Sequence, residues 1–134
     1  MAIYQSEQQL YNVLQGVFET IVATPANIAS FTRSNLVIRM KTQEPDAEIL
    51  LDGRQPPLEV FYGPRPGKAN LEVTMPADLL HHIWMGTQSA SEAFFSGQIK
   101  TKGNLLKAMQ LLDLFRECEA VYPTIAAQHG LPQS

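Results

Sequence analysis

The spacing of apolar residues predicts an amphipathic helix near the start of the chain, over residues 3–23. The apolar arc of this helix consists of Leu10, Leu14, Val17, Phe18 and Ile21. Polar residues occupy the opposite arc, as in a helix that packs one face on a core. Pro25 follows Thr24, and a residue before proline is biased away from helical backbone. The helix is therefore expected to end at this point.

From residue 35 onward the period changes to two, which is typical of strands with one buried face. The apolar positions on that face are Leu36, Ile38, Met40, Ala47, Ile49, Leu51, Leu58, Val60, Tyr62, Leu71, Val73 and Met75. Short turns at residues 52–54 and 63–67 predict antiparallel hairpins. The other face carries Arg39, Lys41, Glu48, Glu59 and Glu72, which can pair across strands and face water. The helices are therefore expected on the apolar face alone.

The rest of the chain is predicted to hold two short helices, a fifth strand and a long helix. Helical patterning covers residues 76–85 and 89–95, and Gln98–Lys102 is the fifth strand. Asn104 is suited to cap the long helix. The fold class is therefore α+β, with a five-stranded, mainly antiparallel sheet and helices packed on one face. One domain over residues 1–134 is expected, with its core in residues 3–122 and a partly irregular tail over 123–134.

The segment from Leu105 to Val121 is predicted to form a helix with more apolar surface than one sheet can cover. Eleven of its seventeen residues are apolar. One broad face holds Leu105, Ala108, Leu111, Leu112, Phe115 and Cys118. Leu106, Met109 and Leu114 lie beside or beyond that face, so the apolar surface spans about 200° rather than the usual ~100°. A bound hydrophobic molecule is the candidate that covers the excess.

Composition and charge restrict the class of partner. The net charge is −3, whereas a phosphate-binding protein would have a strongly basic face, so no nucleic-acid partner is expected. Cys118 is the only cysteine, which excludes an internal disulfide. The first residues form no secretory signal, and no apolar run is long enough to span a membrane. A cytoplasmic protein is expected.

No metal site or cofactor is predicted from the candidate ligands. His81 and His82 are adjacent and diverge by about 100° on a helix, whereas ligands on one face need a spacing of four. They are expected to lie on the helix surface. Asp46, Glu48 and Asp52 lack the glycine and the terminal glutamate of a calcium loop. The turn at residues 63–67 contains prolines, which lack the N–H groups of a phosphate loop.

Catalysis is not expected either. No histidine or asparagine is placed by any motif to activate Cys118, whose position on the apolar helix face predicts a buried thiol. A small enzyme acting on steroids or polyketides would keep a carboxylate inside an apolar cavity. Glu48, Glu59 and Glu72 are predicted on the sheet face away from the helices, so they do not meet this requirement.

Three segments resemble the sterol carrier protein 2 family, as does the order of the predicted elements. They are Thr74–Asp78, Ala93–Gly97 and Gln98–Asn104. The last two combine an aromatic pair, a glycine, a lysine-containing strand and a Gly-Asn pair that opens a helix. The resemblance covers about residues 3–122. It implies an apolar tunnel between sheet and helices that holds a fatty acyl chain, a phospholipid, a sterol-like molecule or a polyprenyl tail.

A non-enzymatic protein that carries or presents such a lipid is therefore expected. By the hydrophobic pattern, the tunnel lining would be Leu36, Ile38, Val60, Tyr62, Leu71, Val73, Ile83, Trp84, Phe94, Phe95, Ile99, Leu105, Met109, Leu112 and Phe115. Residues 131–134 lack a Ser-Lys-Leu peroxisomal address, which favours a free-standing cytosolic protein over peroxisomal transport.

Two alternatives concern partners. The excess face of the last helix, with Leu106 and Leu114 on its far side, would suit a homodimer or an enzyme partner in a lipid or isoprenoid-quinone pathway. Lys100, Lys102 and Lys107 have no acidic residue among them. They can contact a lipid headgroup or, transiently, an anionic membrane surface. Alternatively, they protect an edge strand from unwanted pairing.

Overall fold

Helices and strands occupy most of residues 3–133, the part of the chain that the computed structural model describes. In chain order they are α1 (Glu7–Val22), a first 3₁₀ helix (Pro25–Ile28), α2 (Ala29–Arg33), β1 (Val37–Gln43), β2 (Ala47–Asp52), β3 (Glu59–Tyr62), β4 (Leu71–Pro76), α3 (Ala77–Trp84), α4 (Ala90–Phe95), β5 (Lys100–Gly103), a second 3₁₀ helix (Leu105–Lys107) and α5 (Ala108–Gln128). None of the helices in this part is long and apolar enough to cross a membrane.

The five strands form one mixed sheet in the order β3-β2-β1-β4-β5. The pairs β1–β2, β2–β3 and β4–β5 are antiparallel, whereas β1–β4 is parallel. The predicted α+β class with a mainly antiparallel five-stranded sheet is therefore confirmed. The prediction of consecutive hairpins is wrong at one point, because β4 pairs with β1 rather than with β3.

The segment over residues 63–70 makes this arrangement possible by crossing from β3 to β4. Arg39, on the sheet face away from the helices, donates hydrogen bonds to the carbonyl oxygens of Arg65 at 2.8 Å and Gly67 at 3.1 Å. The same guanidinium lies 3.3 Å from the Glu48 carboxylate and 3.7 Å from that of Glu72. The predicted charge pairing on this face is confirmed, and it also holds the crossing segment.

The helices pack on the other face of the sheet. The side chains of Ile38, Ile49 and Val73 point to this face, and none is more than 1% exposed. α1 and α5 pack together above them at Gly16, where an added Cβ would lie 3.2 Å from the Ile125 side chain. The core is therefore a single layer between the sheet and the helices.

Both terminal helices differ from their predicted limits. α1 begins at Glu7 rather than residue 3, because the Ser6 side chain accepts a hydrogen bond from the Gln9 amide at 3.1 Å and caps the helix. α5 continues through Pro123 to Gln128, into the tail predicted to be partly irregular. Proline leaves the carbonyl four residues earlier, that of Glu119, without its helical partner. Glu119 is exposed, so water can reach this part of the helix.

The start of the last helical segment exposes a different set of apolar residues from the one predicted. Leu105 and Met109 are each 57% exposed, and Leu106 is 82% exposed, whereas Leu114 is buried. Residues 105–107 form a 3₁₀ helix, with about 120° of turn per residue, so their side chains do not continue the face of α5. Asn104, predicted to cap the long helix, caps this 3₁₀ helix instead by accepting from the Leu106 amide at 3.0 Å.

Candidate functional site

Two apolar hollows adjoin where the end of α1 meets β3 and α2. The larger has a volume of about 370 Å³ and is lined by Val22, Pro25, Ala26, Ile28, Ala29, Thr32, Arg33, Pro56, Pro57 and Leu58. The smaller, of about 230 Å³, is lined by Phe18, Glu19, Val22, Leu58, Val60 and Tyr62. Val22 and Leu58 line both hollows, so the two lie side by side, and we refer to them together as the apolar depression at the β3 edge of the sheet.

Local sequence explains the shape of this depression. α1 ends at Val22, and Pro25 opens the first 3₁₀ helix, so the α-helix does not continue beside the hollow. Pro56 and Pro57 form the opposite wall before β3, and proline presents an apolar ring without an N–H group. The walls are therefore largely apolar, and they come from α1, the first 3₁₀ helix, α2 and β3, with Pro56–Leu58 as the connecting segment among them.

A few polar groups surround the apolar walls. Arg33 lies at the last turn of α2 beside the larger hollow and is exposed. Partial burial, together with the charge of Glu19, raises the pKa of Tyr62 to about 12. The Tyr62 hydroxyl therefore stays neutral at physiological pH and can donate a hydrogen bond. An apolar pocket with few polar groups is typical of a site for a hydrophobic small molecule.

The predicted tunnel residues fall into three groups. Most are buried in the core between sheet and helices: Leu36, Ile38, Leu71, Val73, Ile83, Trp84, Ile99 and Phe115. Val60 and Tyr62 line the smaller hollow. The remaining ones lie at or near the surface, with Phe94 and Leu112 half-buried and Phe95, Leu105 and Met109 exposed. The hollows therefore include only part of the predicted lining.

An open tunnel is not shown between the sheet and the helices of residues 3–133. The space around Trp84 is occupied by the rings of Phe18, Phe115 and Tyr122, whose centroids lie 6.1, 5.4 and 5.5 Å from that of Trp84. Phe18 also lines the smaller hollow, so it separates the hollow from the core. The Trp84 indole Nε1 is buried and has no hydrogen-bond partner in the described part of the chain.

A third hollow lies between the turn after α3 and the middle of α5. It has a volume of about 380 Å³, and its walls include the predicted residues Leu112 and Phe115. The remaining lining residues, which are mostly small or polar, are Gly86, Thr87, Gln88, Ser89, Ala90, Ser91, Arg116 and Glu119. This more polar composition makes it a weaker candidate for an apolar ligand.

The prediction for His81 is wrong, because this residue is fully buried. Its Nδ1 lies 2.6 Å from the Tyr122 hydroxyl, which in turn lies 2.5 Å from the Tyr4 hydroxyl. Burial raises the pKa of both tyrosines, so both hydroxyls stay protonated. This buried cluster joins the residues before α1 to α3 and α5.

Two further predictions about reactive groups can be compared with the structure. The described residues contain no cluster of three or more side chains suited to bind a metal ion. Cys118 is buried, as its position on the helix predicted, and burial raises the pKa of its thiol. Its thiol is therefore protonated and a weak nucleophile.

Sequence reasoning missed the walls formed by residues 25–33 and 56–58. It treated Pro25 only as the end of a helix and did not consider the proline pair beside Leu58. The signal available was the concentration of proline and alanine around isolated large aliphatic residues. Such segments cannot fill the space beside them with long side chains, which leaves room for a ligand.

A mixed five-stranded sheet with helices on one face, together with an apolar depression at its edge, defines a small α+β domain suited to a hydrophobic ligand. Residues 18–116 match the SCP-2 sterol transfer family, and the chain belongs to that family.

Solved structures of the same fold support this assignment. The protein resembles apo sterol carrier protein 2 from Yarrowia lipolytica with a TM-score of 0.62 and 19% identity, over 82% of this chain and 89% of that one. A sterol carrier protein domain 2 of Helicoverpa armigera gives a TM-score of 0.66 at 19% identity, over 84% and 89%. A structure described as UbiJ-SCP2 ubiquinone synthesis protein gives 0.58 at 17% identity, over 85% and 91%.

Proposed function

We propose that this protein binds a hydrophobic lipid and carries or presents it without catalysing a reaction on it. The observation that carries the proposal is the apolar depression formed by the two adjoining hollows at the β3 edge. Membership of the SCP-2 sterol transfer family supports a lipid ligand. The larger hollow, at about 370 Å³, lies within the usual size of a small-molecule site.

Burial of apolar surface supplies the binding energy in this proposal. Each methylene removed from water contributes about 0.8 kcal/mol, so a segment of about eight methylenes gives ~6 kcal/mol before ordering is subtracted. Glu48 and Glu72 are placed poorly for catalysis, since they form ion pairs on the sheet face away from the helices. Glu19 lines the smaller hollow but is exposed to solvent rather than enclosed in an apolar cavity. This placement supports a binding role.

A fatty acyl chain with an anionic end is the ligand that we propose first. Arg33 beside the larger hollow provides a guanidinium that can bind a carboxylate or phosphate with two hydrogen bonds. The Tyr62 hydroxyl at the smaller hollow can donate to an ester or hydroxyl oxygen. A sterol-like molecule and a polyprenyl tail are the alternatives, and the likeness to a ubiquinone synthesis protein supports the polyprenyl tail.

The space between the sheet and the helices forms the second part of the proposed site. We propose that displacement of Phe18 lets the far end of the lipid enter among the predicted tunnel residues, beginning at Trp84. A buried N–H without a partner costs about 1–3 kcal/mol, so a water molecule admitted beside Trp84 Nε1 as Phe18 moves would be stabilising. Trp84 is the only tryptophan, and its fluorescence therefore reports this site alone.

Titration with a fluorescent polyene fatty acid tests the site. Ala26 lines the larger hollow, and Ala23, three positions earlier, is exposed and does not line it. Ala26→Phe is expected to weaken binding about tenfold by filling the hollow, while Ala23→Phe leaves it unchanged. Absence of saturable binding to the natural protein would contradict the proposed function. Equal effects of the two variants would contradict the proposed location.

Quenching of Trp84 by nitroxide-labelled fatty acids tests the interlayer extension. A nitroxide near the methyl end is expected to quench more strongly than one near the carboxylate, because the carboxylate remains at Arg33. Equal and weak quenching by both labels at saturation would show that the lipid stays in the outer depression and does not enter between the sheet and the helices. Analysis of lipid extracted from the natively purified protein would identify the ligand class.

A partner-binding role is the second candidate function. Leu106 is exposed as predicted, whereas Leu114 is buried and cannot form part of such a surface. Leu106→Glu is therefore the appropriate variant, and light scattering of the natural and variant proteins measures its effect. A dimer that this substitution breaks, with lipid binding intact, would support an interaction module.

A further inference from the structure

The most exposed large apolar side chains of residues 3–133 lie on either side of the edge strand β5. Phe95, 85% exposed, ends α4 shortly before β5, and Leu106, 82% exposed, follows it in the second 3₁₀ helix. Leu105 and Met109 are each 57% exposed. We name these four residues, together with Lys100, Lys102 and Lys107, the β5 strip.

The charge of the β5 strip differs from that of the whole chain. Residues 93–112 contain three lysines and no acidic residue, although the net charge of the protein is −3. Lys102 pairs in register with Glu72, and its charge contributes to lowering the pKa of that carboxyl, but the ion pairs of Glu72 are with Lys41, at 3.1 Å, and Arg39, at 3.7 Å. The ion pairs found among the described residues do not include the three lysines of the strip. The strip is therefore both apolar and locally cationic.

We propose that the β5 strip docks the protein on an anionic lipid membrane. Apolar side chains gain free energy by entering the boundary between headgroups and acyl chains, and lysines beside them are attracted to anionic headgroups. Phe95 and Leu106 provide the apolar contacts at the two ends of β5. Lys100 and Lys102 lie between them in the chain, on an edge whose residues are all exposed, and they belong to the sheet face that carries Glu72. In this proposal the protein docks with the β5 edge toward the membrane, so that the lysines of one sheet face and the apolar side chains of the helix side both reach it.

The same strand is poorly suited to pair with a second copy of the protein. An exposed edge strand is a template for pairing, and lysines on the edge oppose it. Two β5 strands side by side would bring Lys100 and Lys102 close to the same residues of the other copy, and like charges opposite each other are destabilising. The charge of the strip therefore favours an anionic membrane over self-association.

Membrane docking goes beyond the proposed lipid binding and uses different residues. Neither Leu106 nor the three lysines line the apolar depression at the β3 edge. Vesicle binding and fatty acid binding are therefore separate measurements, and either can fail without the other.

Co-sedimentation with vesicles tests the proposal, comparing phosphatidylcholine alone with a mixture containing 30% phosphatidylglycerol. The natural protein is expected to bind the anionic vesicles more tightly and to lose binding as salt is raised. Lys100→Gln with Lys102→Gln should weaken binding about twenty-fivefold, from ~fivefold for each lysine. The matched control is Arg54→Gln with Arg65→Gln, which removes the same charge from the opposite half of the sheet.

The apolar contribution is tested at Leu106. Leu106→Ser is expected to weaken vesicle binding about tenfold, whereas Leu106→Met, which stays apolar, should retain it. Fatty acid binding should stay unchanged in both, which also shows that the variants fold. Equal binding to both vesicle types, equal effects of the two charge pairs, or no loss with Leu106→Ser would overturn the proposal. A dimer broken by Leu106→Ser without a change in vesicle binding would assign the strip to self-association instead.

Discussion

The hydroxyl groups of Tyr4 and Tyr122 lie 2.5 Å apart, although 118 positions separate the two residues in the chain. The Tyr122 hydroxyl also lies 2.6 Å from Nδ1 of His81 on α3. Tyr122 is therefore the shared partner in a cluster that joins the N-terminal segment to two helices. All three side chains are buried, so water cannot easily replace a lost partner.

Removal of the Tyr122 hydroxyl is expected to destabilise the protein more than removal of the Tyr4 hydroxyl. Tyr122→Phe takes a partner from two buried groups and should lower the free energy of unfolding by about 2–3 kcal/mol. Tyr4→Phe should lower it by about 1 kcal/mol, and the double variant by less than the sum. Urea denaturation measures all three. An equal effect of the two single substitutions would contradict the shared-partner role.

Glycine is required at position 103 for a reason that does not apply at position 97. Both glycines have positive φ, of +111° and +83° respectively. A Cβ at Gly103 would lie 2.5 Å from the Asn70 carbonyl oxygen, whereas nothing lies within 4 Å at Gly97. Gly97→Ala should therefore cost about 1 kcal/mol from backbone strain, and Gly103→Ala at least ~1 kcal/mol more. Thermal unfolding of the two variants compares them, and equal losses would show that the close approach is unimportant.

Arg39 is expected to matter more for stability than Lys41, although both pair with Glu72. The Arg39 side chain is 12% exposed and also donates to the carbonyl oxygens of Arg65 and Gly67 in the crossing segment. Arg39→Gln should lower the free energy of unfolding by about 2 kcal/mol. Lys41, at 38% exposure, makes an ordinary surface pair worth about 0.5 kcal/mol. The prediction fails if Lys41→Gln is as destabilising in urea as Arg39→Gln.

Stability should decrease in acid partly because of Glu72. The hydrogen bond from Lys41 is the main cause that lowers the pKa of the Glu72 carboxyl in the folded protein. The unfolded chain therefore binds a proton at a higher pH than the folded one, so stability rises with pH in this range. The contribution is complete above the unfolded pKa of about 4.3 and is lost as the pH falls through the lower folded pKa.

Glu72→Gln tests this dependence. The variant should lose less stability than the natural protein between pH 5 and pH 3, as measured by urea denaturation at each pH. An unchanged slope for Glu72→Gln would show that the ion pair makes no contribution that depends on pH.

The sequence predicted the elements and their buried faces well, because burial dictates the alternation of apolar residues. The pairing of β4 was not predictable in the same way, since residues 63–70 can close a hairpin or cross two strands. The contacts of Arg39 hold the segment that crosses from β3 to β4. The position of Arg39 in the alternating pattern indicated only that its charge lies on the sheet face away from the helices. His81 was misplaced because its partner, Tyr122, lies 41 positions away in the chain.

The candidate site was only partly predictable. Val60 and Tyr62 followed from the alternation of β3, and the structure places both in the smaller hollow. Residues such as Ile38 and Val73 have the same apolar pattern, but they meet the helices directly and are buried. Hydrophobic periodicity identifies which face of a helix or strand is buried. Whether a hollow remains beside that face depends on neighbouring segments such as Pro56–Pro57, which the periodicity does not describe.

The most direct test of the lipid site is isotope-filtered NMR with labelled protein and an unlabelled saturated fatty acid. The account predicts saturable nuclear Overhauser contacts between the acyl chain and the methyl groups of Val22, Leu58 and Val60. Contacts confined to Leu105, Leu106 and Met109, or no saturable contacts at all, would contradict it.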